Sequence, residues 1–387
     1  MARELPENSL AALREAMVHA DGIEFDLRMT LDGHLVLHHD RTPMIPKHEK
    51  EGRPTYVEAW TLDELREFGA ETFDEMLADP IISTAWREQA KVGVIEIKRP
   101  HPRHIGRGWW NDDRRDLPHM SALTQRVEAA LKEADIPERN TVLYAFHPRM
   151  RDLVKTSGWS RPWSRLTPNL PPYGSGAAQR AVAAPSFVRN SFARLVRTHR
   201  AAGSPMMPCA LDYMHGMRRH LPLGRSVGLA GRARDRLKAT LEGFPAYVWP
   251  APYRMETALI DAGLSLISDS VADPRVRHVD GRLRWKRMAT APLDGGMPSV
   301  ASDEEARSML MELEREVAPW HELSETDHRG HLEAWRKRWG WKREVDDLMA
   351  DVEESGSTMP WEAVRMVGHR GAGKTPRPVL HRVTCHT

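Results

Sequence analysis

Short strand-like runs alternate with helix-like runs along most of the chain. The strand-like runs lie at 22–29, 34–39, 91–98, 140–146, 207–213, 246–251, 264–270 and 364–371. Amphipathic, helix-like sequence separates several of them, as at 121–135 and 231–243. This alternation predicts βα units and a parallel sheet, and a strand number of eight or close to it favours a closed TIM-type (β/α)8 barrel. The run at 34–39 can alternatively pair with 22–29 across the turn-forming TLDG, which leaves the strand number open.

The composition is that of an ordinary globular protein. Of the 387 residues, 41% are hydrophobic and 28% are charged, which is unlike disordered or fibrous chains. The formal net charge of +2 produces no strong overall field, so no nucleic-acid partner is expected. No run approaches about 18 apolar residues and the N-terminus lacks a signal-peptide pattern, so we expect a soluble, cytoplasmic protein without a transmembrane segment. Cys209 and Cys385 are too few and too far apart for a disulfide framework.

Two turn-rich stretches interrupt the alternation. Residues 171–206 begin with PPYGSGAAQ and are predicted to form a long loop or lid with one short helix. A second turn-rich stretch, TAPLDGGMPSVAS, precedes further helix-like sequence. We therefore expect a mostly helical insertion at 287–361, and a barrel formed by 1–286 together with 362–376.

Carboxylates alternate with apolar residues in two of the predicted strands. Glu24 and Asp26 are two residues apart in GIEFDLRM, so both point to the same side of the strand. Glu96 and Lys98 share a side of a second strand in the same way. Three carboxylates at strand ends can form a site for a hard cation, and Lys98 can contact a phosphate. Taken singly, Glu24 and Asp26 could also form a solvated strand face, and Glu96 and Lys98 could form a plain ion pair.

Two histidines follow other predicted strands. His39 comes directly after HLVLH, and His369 precedes Arg370 in the glycine-rich GHRGAG. Histidine titrates closest to neutral pH and is therefore suited to acid/base chemistry, while a guanidinium in a glycine-rich turn suits a bound anion. All these residues fall at the carboxyl ends of strands, where (β/α)8 barrels have their active sites. The set predicts metal-assisted phosphodiester cleavage.

The same residues belong to a series of motifs that resembles one enzyme family. The motifs are PENSLAAL (6–13), GIEFDLRMTLDGHLVLHHD (22–40), VIEIK (94–98), AFHP (145–148), VW (248–249), GLSLISDS (263–270) and GHRGAG (368–373). Together they resemble the glycerophosphodiester phosphodiesterases over nearly all of 1–270 and over 364–374. The resemblance implies a TIM-type barrel that hydrolyses glycerophosphodiesters to an alcohol and glycerol 3-phosphate with a divalent cation.

The resemblance also implies a role for each of the site residues. Glu24, Asp26 and Glu96 would hold the cation, and His39 and His369 would be the acid/base pair. Whether the cation is Ca²⁺ or Mg²⁺ stays open, because the number of bound waters and the rigidity of the site decide between them.

Three further residues would contact the phosphate or its surroundings. Arg370 and Lys98 would touch the phosphate, and Glu7 would be an additional polar contact. Asp269 stands where the family often has TDxP, but Ser270 follows it, so we expect Asp269 to orient a loop and assign it no catalytic role.

The order of the motifs departs from that of the family. There the HRG strand comes first and leads into PEN, whereas here HRG lies at 369–371 and PEN at 6–8, so the order is circularly permuted. Barrels tolerate such a change because domain termini commonly lie close together. We expect the C-terminal strand to close its own barrel, and a homo-oligomer formed by strand exchange is the alternative.

Two other functions fit parts of the sequence. A lyase-type phospholipase of the sphingomyelinase D group would share the barrel and its two histidines but would produce a cyclic phosphate; PENS favours the phosphodiesterase. A non-catalytic barrel that binds metal and phosphate could act through the Trp-rich stretch at 320–341 of the insertion. The head group is open as well, because the loop at 99–120 can line an anionic or choline-like subsite or be solvated.

Overall fold

A computed structural model gives the three-dimensional structure. It describes residues 5–43, 52, 54–89, 91–106, 112–167, 185, 187–222, 225–271, 323–339, 361 and 363–373, with side chains of 335–339 excepted. The predictions for 171–184, for residues 287–322 and 340–360 of the insertion, and for both ends of the Trp-rich stretch at 320–341 concern residues outside these ranges. No helix of the described chain is long and apolar enough to cross a membrane.

Eight strands of the described chain form one sheet. They are β1 (Gly22–Met29), β2 (Leu35–Leu37), β3 (Val92–Ile97), β4 (Thr141–Tyr144), β5 (Met207–Ala210), β6 (Ala246–Ala251), β7 (Ser265–Ser268) and β8 (Met366–Gly368). Seven of them are parallel and run in the order β4-β3-β1-β8-β7-β6-β5. The short β2 pairs antiparallel with β1, which confirms the hairpin alternative for 34–39.

An eighth parallel position is filled by residues 162–166, which the sequence analysis missed. Ser164 N donates to Leu143 O at 2.8 Å and Leu166 N donates to Ala145 O at 3.1 Å, so the segment runs alongside β4. On its other side Ser164 Oγ donates to Met206 O, next to β5, at 2.9 Å. Seven parallel strands and this segment therefore surround one interior, and the predicted TIM-type α/β barrel is confirmed.

One apolar cluster fills the interior of the barrel. It contains residues from strands that are far apart in the sheet order, namely Val92, Val94, Val142, Tyr144, Leu166, Met206, Tyr247, Ile267 and Val367. These side chains can meet only because the sheet curves round on itself. The intervening residues on the same strands point outward, where the helices cover them.

Ten helices of the described chain follow or flank the strands. They are α1 (Leu10–His19), α2 (Leu62–Arg66), α3 (Phe73–Ala78), α4 (Pro80–Glu88), α5 (Asp116–Glu133), α6 (Met150–Ser157), α7 (Phe192–Ala201), α8 (Gly231–Leu241), α9 (Tyr253–Asp261) and α10 (Glu325–Trp339). The helices α5 and α8 were predicted from their periodicity, and α7 is the short helix expected within 171–206.

Local sequence accounts for the starts of several helices. Thr61 and Thr72 form capping boxes with Glu64 and Glu75, each glutamate three residues after its threonine. The carboxylate of Asp79 accepts hydrogen bonds from the first turn of α4, which begins at a proline. The helices α3 and α4 contribute side chains to the apolar cluster outside β1 and β3. The buried leucines of α2 belong to a separate cluster that includes Val36 of β2.

The strand β8, close to the C-terminal end, completes the barrel within a single chain. It lies between β1 and β7 and pairs in parallel with both. This position agrees with closure of the barrel by the chain's own strand, and it brings GHRGAG next to the N-terminal PEN motif. The circular permutation relative to the family stays a prediction, and exchange of β8 between chains stays the alternative to closure within one chain.

Candidate active site

Three carboxylates from β1 and β3 meet inside the barrel. Glu24 and Asp26 point inward because Ile23, Phe25 and Leu27, with which they alternate, pack outward against the helices. The register pairs Asp26 with Glu96 of β3. Glu24, Asp26 and Glu96 are all buried, and each can offer an oxygen within 4.8 Å of the others.

Burial and mutual repulsion change the acidity of these groups. Burial, reinforced by the charge of Asp26, raises the pKa of Glu24 to about 7. Burial also raises the pKa of Glu96, although Lys98 opposes it. Burial favours the neutral form of Asp26 too, but Lys98, His39 and Arg370 outweigh it and hold the pKa of Asp26 well below its usual value.

Lys98 lies among the carboxylates. Its Nζ is 2.7 Å from Asp26 Oδ1 and also donates to Glu96. The side chain is only 10% exposed, so this ammonium supplies positive charge in the interior.

A tight turn after β8 brings the predicted histidine and arginine to the same place. Arg370 adopts a left-handed backbone conformation, with φ of 51°, and its N–H donates to Glu24 Oε2 at 2.9 Å. Gly371 follows with φ of 86°, and a Cβ there would lie 2.6 Å from the backbone of Ala12 in α1. The turn therefore requires glycine after the arginine.

The PEN motif, close to the N-terminus, forms hydrogen bonds with this turn. Glu7 Oε1 accepts a hydrogen bond from Arg370 Nη1 at 2.7 Å, and a contact of Glu7 with the substrate stays a prediction. Asn8, which the sequence analysis missed, holds Asp26 twice: Asn8 Nδ2 donates to Asp26 Oδ2 at 2.8 Å, and Asp26 N donates to Asn8 Oδ1 at 3.0 Å. Asn8 N also donates to Arg370 O at 2.9 Å. The sequence could have indicated this role, because Asn8 directly follows Glu7 in the PEN motif.

Asp269 orients His369, which corrects the expectation that it only orients a loop. His369 Nδ1 is 2.5 Å from Asp269 Oδ1, and His369 Nε2 is 3.9 Å from Glu24 Oε2. A carboxylate only accepts, so Nδ1 carries a proton and Nε2 faces the acidic cluster. Burial lowers the pKa of His369, but Asp269 and Glu24 outweigh it and the net shift is upward.

The second histidine has the opposite electrostatic character. His39 lies beyond β2, with its Nδ1 2.9 Å from Asp40 Oδ1 and its side chain 28% exposed. Burial, followed by repulsion from Lys98, lowers the pKa of His39 to about 3. The charges of Asp26 and Arg370 also act on His39, so it belongs to the same cluster. At neutral pH His39 is therefore an uncharged imidazole.

In the loop after β3, one residue that was considered for lining a substrate subsite, Arg99, is engaged inside the protein. Arg99 is buried, and its guanidinium binds Asp113 and Asp116 rather than facing an open site. Residues 107–110 of the same loop, including Trp109 and Trp110, lie outside the described residues.

The acidic cluster suits a divalent cation by its chemistry. Three carboxylates provide the oxygen ligands that Ca²⁺ and Mg²⁺ prefer. Burial raises the pKa of both Glu24 and Glu96, and the neighbouring charge of Asp26 adds to each shift. The residues present therefore fit such an ion.

Comparison with known proteins agrees with this site. A model described as "Glycerophosphoryl diester phosphodiesterase family" matches residues 1–155, which contain the three carboxylates, Lys98 and His39. The resemblance predicted from the motifs is confirmed. A glycerophosphodiester phosphodiesterase of Caldanaerobacter subterraneus subsp. tengcongensis is 27% identical over 231 residues, which cover 57% of this chain and 87% of that protein.

Solved structures of similar proteins carry related names. A glycerophosphodiester phosphodiesterase of Thermotoga maritima is 17% identical, with a TM-score of 0.41 and coverage of 67% of this chain and 87% of that one. A phosphodiesterase of Oleispira antarctica, solved in complex with the product sn-glycerol-3-phosphate, is 14% identical, with a TM-score of 0.41 and coverage of 68% and 87%.

Proposed function

We propose that this protein hydrolyses glycerophosphodiesters to an alcohol and glycerol 3-phosphate with the help of a divalent cation. The observation that carries the proposal is the meeting of Glu24, Asp26 and Glu96 within 4.8 Å beside the turn that holds His369 and Arg370. A cluster of acids alone would fit many roles. Acids, two imidazoles with opposite pKa shifts and two cations in one cluster fit phosphoryl chemistry.

Glu24, Asp26 and Glu96 would hold the cation, either Ca²⁺ or Mg²⁺. When bound, such an ion supplies Lewis-acid polarisation of a phosphate oxygen. Asn8 would keep Asp26 in place for this task through its two hydrogen bonds. The short link from Arg370 N–H to Glu24 would do the same for the second carboxylate.

His369 and His39 would exchange the protons. Hydrolysis forms a bond from a water oxygen to phosphorus and breaks the bond from phosphorus to the alcohol oxygen. His39, neutral because its pKa is lowered to about 3, would accept the proton of the water. His369, whose pKa is raised and whose Nδ1 is held by Asp269, would donate a proton from Nε2 to the departing alcohol. Paired groups with opposite pKa shifts are typical of acid/base partners.

Arg370 and Lys98 would balance charge that develops on the phosphate. Glu7 would orient the guanidinium of Arg370 through its 2.7 Å hydrogen bond. Both cations already neighbour the carboxylates, so a bound phosphate would share them with Asp26. The barrel, 1–286 with 362–376, would contain this whole site, and 287–361 would be a helical connection between β7 and β8.

The test measures product release from glycerophosphocholine and glycerophosphoethanolamine by the purified chain. We expect free choline or ethanolamine with glycerol 3-phosphate, loss of turnover with a chelator, and recovery with Ca²⁺ or Mg²⁺. A cyclic phosphate from a lipid substrate would instead identify a lyase. Absence of turnover with the ion bound would contradict catalysis at this site.

A further inference from the structure

A groove lined by four arginines lies on the outer wall of the barrel, between α6 and α7. Its volume is about 700 Å³. The lining consists of Pro148, Met150, Arg151, Trp163, Arg165, Arg194, Arg197, Thr198, His199, Ala201, Ala202 and Ser204. Among these described residues there is no aspartate or glutamate. The groove is therefore strongly positive for a protein whose net charge is only +2.

The floor of the groove comes from the strand segment 162–166. Leu166 belongs to the interior cluster, so Trp163 and Arg165, which alternate with it, face outward. Trp163 accordingly packs against the outer apolar cluster. The wall of the barrel thus separates the groove from Glu24, Asp26 and Glu96, which point to the interior.

Arg165 is unusual for its place in the fold. On the neighbouring strands the outward positions hold buried apolar side chains, such as Leu143 of β4 and Cys209 of β5. Arg165 puts a half-buried guanidinium in this layer, and burial lowers its pKa. No acidic side chain of the described chain pairs with it. A charge in such a position costs free energy unless a partner of opposite charge binds there.

The other arginines approach the same space from the two helices. Arg151 lies on α6, and Arg194 and Arg197 lie on α7; all three are exposed. Guanidinium groups bind phosphate oxygens through paired hydrogen bonds, and several of them around one cavity favour a ligand with more than one anionic group. Trp163, which is partly exposed, offers apolar surface beside them.

We propose that this groove binds a small organic anion that carries at least two phosphate groups. The volume falls in the range of small-molecule sites, about 300–1,000 Å³, which fits such a ligand better than a polymer. Its phosphates would lie against Arg165 and the arginines of α7, and its organic part against Trp163. This site is independent of the proposed phosphodiesterase activity.

The experiment is calorimetric titration of the full chain with pyrophosphate and with ADP, in a chelator that keeps cations from the active site. We expect saturable binding with one ligand per chain, and tighter binding of ADP than of pyrophosphate. Arg165→Met and the double variant Arg194→Ser/Arg197→Ser should each weaken binding by about tenfold or more, because each removes charge-assisted hydrogen bonds.

A matched control distinguishes binding in the groove from nonspecific attraction to positive charge. Arg232→Ser/Arg254→Ser removes the same charge from exposed positions outside the groove and should change affinity less than about twofold, since surface charges at a distance are screened. Arg165→Met should melt no lower than the wild type, because methionine suits an apolar layer. Should Arg165→Met fail to fold, the exposed double variant still tests the site.

Three outcomes would overturn the proposed binding of an anion in the groove. The first is no binding of either ligand by the wild type. The second is equal loss in the groove and control double variants, which would indicate nonspecific attraction. The third is undiminished binding by Arg194→Ser/Arg197→Ser, which would place the anion elsewhere, such as at Arg370 and Lys98. Tighter binding of pyrophosphate than of ADP would overturn the assignment of an organic ligand.

Discussion

The two ends of the barrel interior are built from the same strands but carry opposite kinds of side chain. At one end, inward residues form the apolar cluster; two residues farther along, they form the charged site. The step is from Val94 to Glu96 on β3, from Ile267 to Asp269 after β7, and from Val367 to His369 after β8. A two-residue advance along a strand keeps the side chain on the same face, so it changes only the depth in the barrel.

The difference between the ends is one of energetics. Burial of the apolar end stabilises the fold, whereas burial of the charged end raises the pKa of Glu24 and Glu96 and opposes their ionisation. The charged end persists because neighbouring cations and hydrogen bonds offset much of that penalty. We therefore expect substitutions at the two ends to separate stability from activity.

The largest effect is expected from removing β8. A chain that ends at residue 360 loses His369 and Arg370 and leaves β1 and β7 with unpaired edges, so it should be inactive and largely insoluble. Solubility and turnover after expression measure this. A chain that ends at 376 is the control and should remain active; a folded, active chain ending at 360 would contradict closure by β8.

Loss of the oriented histidine comes next. His369→Ala should lower turnover by about 10²–10⁴-fold, the usual range for a general acid or base, with little change in the free energy of unfolding. Steady-state kinetics on a glycerophosphodiester measure it. His34→Ala, which changes a half-exposed histidine in the β1–β2 turn, is the matched control and should leave turnover unchanged. Equal effects of both variants would remove His369 from the acid/base pair.

One substitution at each end of the barrel interior tests whether the apolar end determines stability and the charged end determines activity. Ile267→Ala at the apolar end should lower the free energy of unfolding by about 2–5 kcal/mol, because it leaves a cavity in the interior. Glu24→Gln at the charged end should leave that free energy unchanged or raise it, while abolishing cation-dependent turnover. Denaturant unfolding and kinetics on both variants measure this. A strongly destabilised Glu24→Gln would show that the charged end also holds the fold together.

The smallest effect concerns pH. Burial and Asp26 raise the pKa of Glu24 from 4.5 to about 7, so the folded protein retains this proton more readily than the unfolded chain. That contribution to stability is fully present below the unfolded pKa and is lost as pH rises through about 7. A bound divalent cation replaces the proton, so Ca²⁺ or Mg²⁺ should raise the melting temperature about 2 °C more at about pH 8 than at about pH 6. Glu24→Gln should remove the difference; persistence of the difference would exclude Glu24 as its source.

Much of the site could be predicted because the orientation of its carboxylates follows from the sequence pattern within single strands. In GIEFDLRM and VGVIEIK, acids and apolar residues alternate, and that pattern alone places Glu24, Asp26 and Glu96 on the inner face. The segment 162–166 was missed because its sequence, PWSRL, has neither an apolar run nor a clear alternation. It occupies a strand position because β4 offers hydrogen bonds on that side.

The sequence by itself determined which side chains are candidates for the chemistry and that they lie on the strands of a parallel α/β sheet. Tertiary structure alone decided their partners. Asn8 holds Asp26 from 18 residues away, and Asp269 meets His369 across 100 residues of chain. Periodicity reports only which face a residue takes within its own strand, whereas such contacts depend on which strands become neighbours when the barrel closes. Arg165 shows the same limit, because its outward position in an apolar layer is visible only once the barrel is formed.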